Sequence, residues 1–333
     1  MPMRKEDFTT VNANKPLYGN IQSLGRALKS GADPNVKNKF GWTMLHHAAN
    51  AGDVEMIKLL LDHGADPNTP ATWQGQTPLH IVFDSYLKTR KHTPAVERAC
   101  VEIACLLIDH GADVNAIDHK YREPIGYLIS NASGKVCRAI LQDARVKKDI
   151  RMNIRKTLNA FLWTNMKLGV ISEIQRVLAA GADPDTRNHL GRTPLHWAAM
   201  KGRVDIARIL LDAHAETNAQ FPANGSTPLH YACMKGSRAF AALCIDHGAD
   251  VNARDNNSET PFHHACRWNF PNLARLLIEN GAKLTARTSN GHTGLDLLLA
   301  SEQKNSTDEI VALYREYCPE LVFSAFCTMD VKP

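Results

Sequence analysis

Residues Thr260–Phe270 read TPFHHACRWNF, and this stretch contains three side chains that can ligate a metal ion. His263, His264 and Cys266 offer imidazole nitrogens and a thiol, which are ligands that zinc prefers. Histidines and cysteines also act as bases and nucleophiles in enzymes. The stretch therefore raises two chemical hypotheses, a metal site and a catalytic cluster, and both depend on the elements that position these residues.

The bulk composition is that of a folded chain with a mild charge bias. The 333 residues are 44% hydrophobic and 22% charged, and the formal net charge is +5. This excess is far below the basic load of a dedicated nucleic-acid binder. No run approaches the ~20 apolar residues of a membrane helix, and the N-terminal stretch lacks the apolar core of a signal peptide. We therefore expect neither a nucleic-acid nor a membrane partner.

The cysteines point to a reducing compartment. The chain has 8 of them, without a CxxC pair, inside helix-like runs. This pattern favours reduced, buried thiols. We expect a cytoplasmic protein, with a nuclear location and export as an effector as the alternatives.

Five segments share one frame, and that frame accounts for the first histidine of the TPFHHACRWNF stretch. Each begins with a motif that resembles TPLH, four of the five continue with a pair of small residues one position later, and a block such as LLLDHGADPN follows. Thr suits the N-cap, Pro suits the next position, and His three residues after Thr can bond back to the cap. Gly52, Gly202 and Gly236 are predicted to end the first helix in the left-handed conformation, and Asn269 can do the same in the fifth copy. Apolar residues at three- and four-residue spacing predict a second helix that ends at Gly. The five threonines are Thr43, Thr77, Thr193, Thr227 and Thr260.

The repeated frame resembles the ankyrin-repeat family. The resemblance implies an all-α ankyrin-repeat solenoid of helix-turn-helix repeats joined by short hairpin-like loops. It also implies a non-enzymatic protein that binds a partner protein, with no cofactor and no small-molecule substrate. In this frame His263 is a capping residue and Cys266 a small buried one, and adjacent helical residues such as His263 and His264 point about 100° apart, a poor geometry for one tetrahedral metal. We therefore predict no metal site and no catalytic site.

The repeat frame divides the chain into an extension (1–16), an array (17–320) and a tail (321–333). The distance from Thr77 to Gly111 is 34 residues, whereas Thr43 and Gly64 are 21 apart. The third unit therefore carries an insertion of about 13 residues, which we interpret as a helical hairpin. The predicted units are a half-repeat at 17–37, repeats at 38–70, 71–117, 118–150 (degenerate), 151–187 (degenerate), 188–220, 221–254 and 255–287, and a C-terminal cap at 288–320.

Positions that vary between the repeats predict the binding surface. In ankyrin-like arrays, the two residues before the first-helix glycine and the residue before each Thr face the concave side. Exposed Trp, Arg and Met are frequent interface anchors. The candidates are Trp42, Arg192, Met200, Lys201, Met234, Lys235, Glu259, Arg267 and Trp268. A secondary set near the tip of the predicted hairpin comprises Tyr86, Lys88, Arg90 and Lys91.

Other interpretations stay open beside a scaffold or adaptor. The chain could be a bacterial or viral effector that binds a host protein, or the substrate-recognition adaptor of a ubiquitin ligase with Cys318–Pro333 as a second docking segment. The basic segment 145–156 could bind anionic lipid or nucleic acid, or act as an import signal. Asp149 interrupts this basic segment, and no aromatic residues alternate with its cations. Both features favour a solvated helix face. The segment 144–161 could also mark a bend or a boundary between two sub-arrays.

Overall fold

The computed structural model describes residues 21–89, 92–131, 134–300 and 307–321. Within these ranges the chain folds into α-helices joined by turns, without a β-strand, so the all-α prediction is confirmed. None of the helices in these ranges combines the length and the apolar character needed to cross a bilayer. The chain divides into two compact units, one ending at Asp183 and the other beginning at Pro184.

The first unit contains a single helix followed by helix pairs. The first helices of the first three pairs pack on one another, and the second helices of all four pairs do the same, so the described part of this unit has two helical layers. The helices are α1 (Ile21–Lys29), α2 (Met44–Ala51), α3 (Val54–Asp62), α4 (Pro78–Lys88), α5 (Pro94–Asp109), α6 (Pro124–Asn131), α7 (Gly134–Gln142), α8 (Lys148–Leu168) and α9 (Ile171–Ala179).

The second unit repeats the same arrangement. Helices α10, α12, α14 and α16 pack in one row, and α11, α13, α15 and α17 pack in the other. Their bounds are α10 (Pro194–Lys201), α11 (Val204–Asp212), α12 (Pro228–Met234), α13 (Arg238–Asp246), α14 (Pro261–Arg267), α15 (Pro271–Glu279), α16 (Gly294–Leu299) and α17 (Thr307–Tyr317).

The predicted Thr-His caps are present at all five TPLH-like segments. In α14, the backbone N–H of Thr260 donates to Nδ1 of His263 at 3.1 Å, and the Thr260 hydroxyl lies 2.8 Å from the same nitrogen. The other ring nitrogen, Nε2, lies 3.1 Å from the carbonyl oxygen of Ala286. The capping role predicted for His263 is therefore confirmed, and the same ring also contacts the following loop. Equivalent contacts are made by His46, His80, His196 and His230.

The helix-ending residues also follow the prediction. Gly202 and Gly236 adopt φ values of 65° and 69°, and Asn269 replaces glycine with φ 53°. Asn tolerates this left-handed conformation better than most residues, because its short polar side chain can bond locally. The fifth copy therefore keeps the turn without a glycine.

Helix α8 begins at Lys148, so the predicted junction between the repeats 118–150 and 151–187 lies inside this helix. The helix has 21 residues, whereas α10 has 8. Ile154, Leu158, Leu162 and Met166 are all buried at four-residue spacing, so one apolar stripe runs along it. No Pro or Gly interrupts that stripe, and a continuous apolar face favours one long helix over a bend.

The residues inserted after Thr77 lengthen both helices of their pair. Helix α4 has 11 residues and α5 has 16, whereas α2 and α3 have 8 and 9. Thr93 caps α5 by accepting a hydrogen bond from the N–H of Val96. Arg90 and Lys91, both predicted near the tip of the hairpin, lie outside the described residues.

Candidate functional site

Three helices of the second unit carry the predicted binding residues at their C-terminal ends. Helix α12 packs between α10 and α14, so the ends of the three helices form one row. Each end presents a pair with one long apolar or aromatic side chain and one cation. The pairs are Met200–Lys201, Met234–Lys235 and Arg267–Trp268, and we call these six residues the row surface.

Exposure differs within these pairs. Lys201, Lys235 and Trp268 are exposed, and Trp268 retains 46% of its accessible area. Met200, Met234 and Arg267 are half-buried, because the neighbouring helices cover one side of each. The row surface therefore combines apolar area with two freely exposed ammonium groups. Large aromatic and flexible thioether side chains bury much area on contact with a partner.

Glu259 and Arg192 lie in the loops before these helices, and neither is a free surface group. Glu259 is only 6% exposed and forms an ion pair with Arg267, so the structure does not support its prediction as a partner-binding residue. Its carboxylate instead orients the Arg267 guanidinium. The Arg192 guanidinium lies over the ring of Phe221, 4.8 Å from the centroid, and its Nε atom is buried.

The three metal-ligand candidates of the TPFHHACRWNF stretch are separated by the fold. His263 is used as a cap, and Cys266 is fully buried, which raises the pKa of its thiol. His264 points elsewhere: its Nε2 lies 3.5 Å from Glu259 Oε2 and 3.6 Å from Asp255 Oδ2. Asp255 was not among the residues predicted from the sequence. The signal that could have identified it is its place in the loop before α14, nine residues before His264.

A cleft of about 340 Å³ in the first unit contains Trp42. The Trp42 ring lies 5.0 Å from the ring of His47, centroid to centroid. Trp73, which is 77% exposed, lines the same cleft and was not predicted from the sequence. Lys88 also lines it and pairs with Asp84 at 2.6 Å. The structure thus brings together Trp42 and Lys88, which the sequence placed in two separate sets.

Tyr86 does not present its ring to a partner, contrary to the prediction. Only 3% of it is exposed, and its ring packs against His92 with 4.7 Å between centroids. The reason is that the lengthened α5 covers this side of α4. Burial also raises the pKa of Tyr86 to about 12.

The basic segment 145–156 is partly committed to internal ion pairs. The guanidinium of Arg145 donates to both carboxylate oxygens of Glu102, at 3.0 and 2.8 Å, and to Asp143 at 2.9 and 2.8 Å. Arg151 donates to the carbonyl oxygen of Asp143. Arg155 and Lys156 are exposed on α8. The segment therefore offers fewer free cations than its sequence indicates.

The capping histidines are held neutral by their surroundings. Burial lowers the pKa of His46, His196 and His230 from 6.5 to about 4, although hydrogen bonds to backbone carbonyls oppose the shift. A neutral imidazole has one donor and one acceptor nitrogen, which matches a ring placed between a backbone N–H and a carbonyl oxygen. These rings are structural and carry no free catalytic base.

The sequence matches the model of the family described as ankyrin repeats over residues 13–118, 165–255 and 213–288. It is 27% identical over 203 residues to the E3 ubiquitin-protein ligase KEG of Arabidopsis thaliana, covering 60% of this chain and 10% of that protein. It is 32% identical over 206 residues to the transient receptor potential channel pyrexia of Drosophila melanogaster, covering 62% and 16%. It is 47% identical over 62 residues to the putative ankyrin repeat protein FPV222 of Fowlpox virus, covering 19% and 8%. The chain thus spans a small part of the length of these relatives, and the likeness concerns the repeats.

Proposed function

The chain belongs to the ankyrin-repeat family, and from this premise we propose that it is a non-enzymatic scaffold or adaptor that binds a partner protein through the row surface. Ankyrin repeats generally mediate protein–protein interactions and are typically non-catalytic. The observation that carries the proposal is the alignment of three successive helix ends. Each end has one cationic side chain and one methionine or tryptophan.

The chemistry of the row surface favours a partner segment that is acidic and partly apolar. Lys201 and Lys235 offer ammonium groups with no ion pair in the described residues. Trp268 offers an exposed aromatic face beside them. Charge complementarity would accelerate the encounter, and the aromatic and thioether groups would supply buried area. Because packed helices carry the row surface, little ordering entropy opposes binding.

We include the cleft around Trp42 and Trp73 in this proposal as a second contact site, since its volume suits one or two side chains of a partner.

The proposal also includes the predicted repeat boundaries of the second unit. Helices α10 and α11 lie within 188–220, α12 and α13 within 221–254, and α14 and α15 within 255–287. Each of these pairs would therefore act as one binding repeat.

The test is affinity purification from cell lysates with two charge-matched variants of the full chain. The surface variant carries Lys201→Glu, Lys235→Glu and Trp268→Ala. The control carries Arg208→Glu and Arg238→Glu, which change exposed cations on the second-helix row. Arg267 is left intact because its substitution would leave the buried Glu259 carboxylate unpaired.

A partner captured by wild type and control but lost with the surface variant would support the proposal. The purified pair would then be measured by isothermal titration calorimetry, where a loss of at least about 10-fold in affinity is expected for hot-spot residues. Retention of every partner by the surface variant would exclude the row surface. The identity of the partner decides between a cellular scaffold, an effector that targets a host protein and an adaptor of a ubiquitin ligase.

A further inference from the structure

Asp255, Glu259 and His264 converge beside the loop that leads into α14. Their side chains are 5%, 8% and 7% exposed. The Nε2 atom of His264 lies 3.5 Å from Oε2 of Glu259 and 3.6 Å from Oδ2 of Asp255, and the three atoms lie within 4.8 Å of one another. Two carboxylates and an imidazole thus share one buried point.

The imidazole of His264 is aimed at this point without bonding to it. Both of its ring nitrogens are buried and lack a hydrogen-bond partner among the described residues. The two separations from Nε2 exceed the range of ordinary N–H···O bonds, which extends to about 3.2 Å. Buried polar atoms in folded proteins are nearly always bonded. The His264 ring and the two carboxylates therefore leave room for a further group, which would bind Nε2 and the two carboxylate oxygens.

A second repeat shows how the same positions look when they are complete. Asp118, Arg122 and Tyr127 have the same offsets along the chain as Asp255, Glu259 and His264. There the guanidinium of Arg122 donates to Oδ2 of Asp118 at 2.8 and 3.0 Å, and the Tyr127 hydroxyl donates to the same oxygen at 2.7 Å.

At the corresponding place in the later repeat, Glu259 replaces the arginine. A carboxylate thus stands where the earlier repeat has a cation. Arg267 pairs with Oε1 of Glu259, but no described residue donates a normal hydrogen bond to Oε2 of Glu259 or Oδ2 of Asp255. The buried pair of carboxylates therefore has one guanidinium as its formal countercharge.

The outer contacts of the two carboxylates hold them in place. Oδ1 of Asp255 accepts the backbone N–H groups of Asn257 and Glu259, both at 2.9 Å. Ligating carboxylates in metal sites are oriented by such hydrogen bonds. Each carboxylate therefore keeps one oxygen engaged and directs the other toward His264.

We propose that Asp255, Glu259 and His264 bind a divalent ion of the zinc class through Oδ2, Oε2 and Nε2. Zinc binds imidazole nitrogen and carboxylate oxygen at about 2.0–2.2 Å with tetrahedral geometry, which places neighbouring ligand atoms about 3.4 Å apart. The distances of 3.5 and 3.6 Å from Nε2 of His264 to the two carboxylate oxygens are close to this ligand–ligand distance. A dipositive ion also neutralises the buried carboxylates, as Arg122 does in the earlier repeat. Three protein ligands leave one coordination position for solvent.

This site does not depend on the proposed partner surface, and the test keeps the two apart. The full chain is treated with a chelator, dialysed and titrated with ZnCl₂ by isothermal titration calorimetry. The site variants are Asp255→Asn and His264→Gln, since Asn retains an oxygen for the backbone N–H groups. The matched control is His47→Gln, because His47 occupies the same repeat position as His264 but faces the amide of Asn38 at 3.3 Å.

We expect wild type and the His47→Gln control to bind one zinc ion per chain, and each site variant to bind at least about 10-fold more weakly. Zinc should also raise the melting temperature of the wild type and not that of the site variants. Absence of saturable binding to wild type would overturn the proposal, as would equal binding by both site variants. Circular dichroism establishes that each variant is folded, and if one unfolds the other decides. The row-surface variant should bind zinc like wild type, whether or not it keeps its partner.

Discussion

The Nε2 atom of His230 lies 3.0 Å from the carbonyl oxygen of Glu259, 29 residues further along the chain. The Nδ1 atom of the same ring accepts the backbone N–H of Thr227 at 3.1 Å. One fully buried imidazole thus caps its own helix and binds the loop of the next repeat. Since each repeat contacts mainly its neighbours, such links transmit stability along an array.

Replacing His230 with Ala should lower the free energy of unfolding by about 2–4 kcal/mol, because a buried N–H and a buried carbonyl lose their partner and a cavity forms. The measurement is urea unfolding followed by circular dichroism. The control is His247→Ala, an exposed residue at the end of α13, which should change stability by less than about 0.5 kcal/mol. Equal effects of the two substitutions would contradict the bridging role of His230.

Stability should fall as the pH is lowered from 6.5 to about 4, the range between the unfolded and folded pKa values of His46, His196 and His230. In this range the unfolded state binds more protons, so acidification favours it. Above pH 6.5 these rings are neutral in both states, and their contribution is fully present. The midpoint of urea unfolding should therefore decrease across this window, and His196→Gln should make the decrease shallower. A midpoint independent of pH across this window would refute the assignment of neutral caps.

Replacing Arg145 with Gln should cost about 1–2 kcal/mol, because its guanidinium bridges Glu102 and Asp143 with charged hydrogen bonds in a partly buried site. Arg155→Gln removes an equal charge from the exposed face of α8 and should cost less than about 0.5 kcal/mol. Urea unfolding at low and at raised salt compares the two. If both variants match wild type, the Arg145 bridge contributes nothing to stability.

Tyr121→Gly should raise the free energy of unfolding by about 0.5–1 kcal/mol, because Tyr121 has φ 57° and is 85% exposed, so it bears the cost of a left-handed backbone without compensating burial. Gly291 occupies the same turn position with φ 81°, and a Cβ there would meet no atom within 4 Å. Gly291→Ala should therefore lower stability by about 1 kcal/mol for purely conformational reasons. Paired thermal melts check both, and a loss of stability in Tyr121→Gly would disprove the strain argument.

Much of the fold could be predicted because its signals are local. The Thr-His caps and the left-handed Asn269 depend on residues within one turn, and the structure has them as predicted. The all-α fold and the membership of the ankyrin-repeat family follow from the recurrence of these signals. The extent of α8 was not predicted, because a degenerate repeat leaves only its apolar stripe to define a helix.

The exposure of side chains at the candidate site did not follow from the repeat register. Repeat register placed Glu259 and Trp268 in one set, but packing buried the first against Arg267 and left the second exposed. The repeats, their caps and the variable positions could be predicted from the residues alone, since short-range hydrogen bonding and apolar spacing specify them. The structure was needed to learn which variable side chains reach solvent and how close Asp255 comes to His264, because exposure depends on the packing of neighbouring helices and the separation depends on the conformation of the loop before α14.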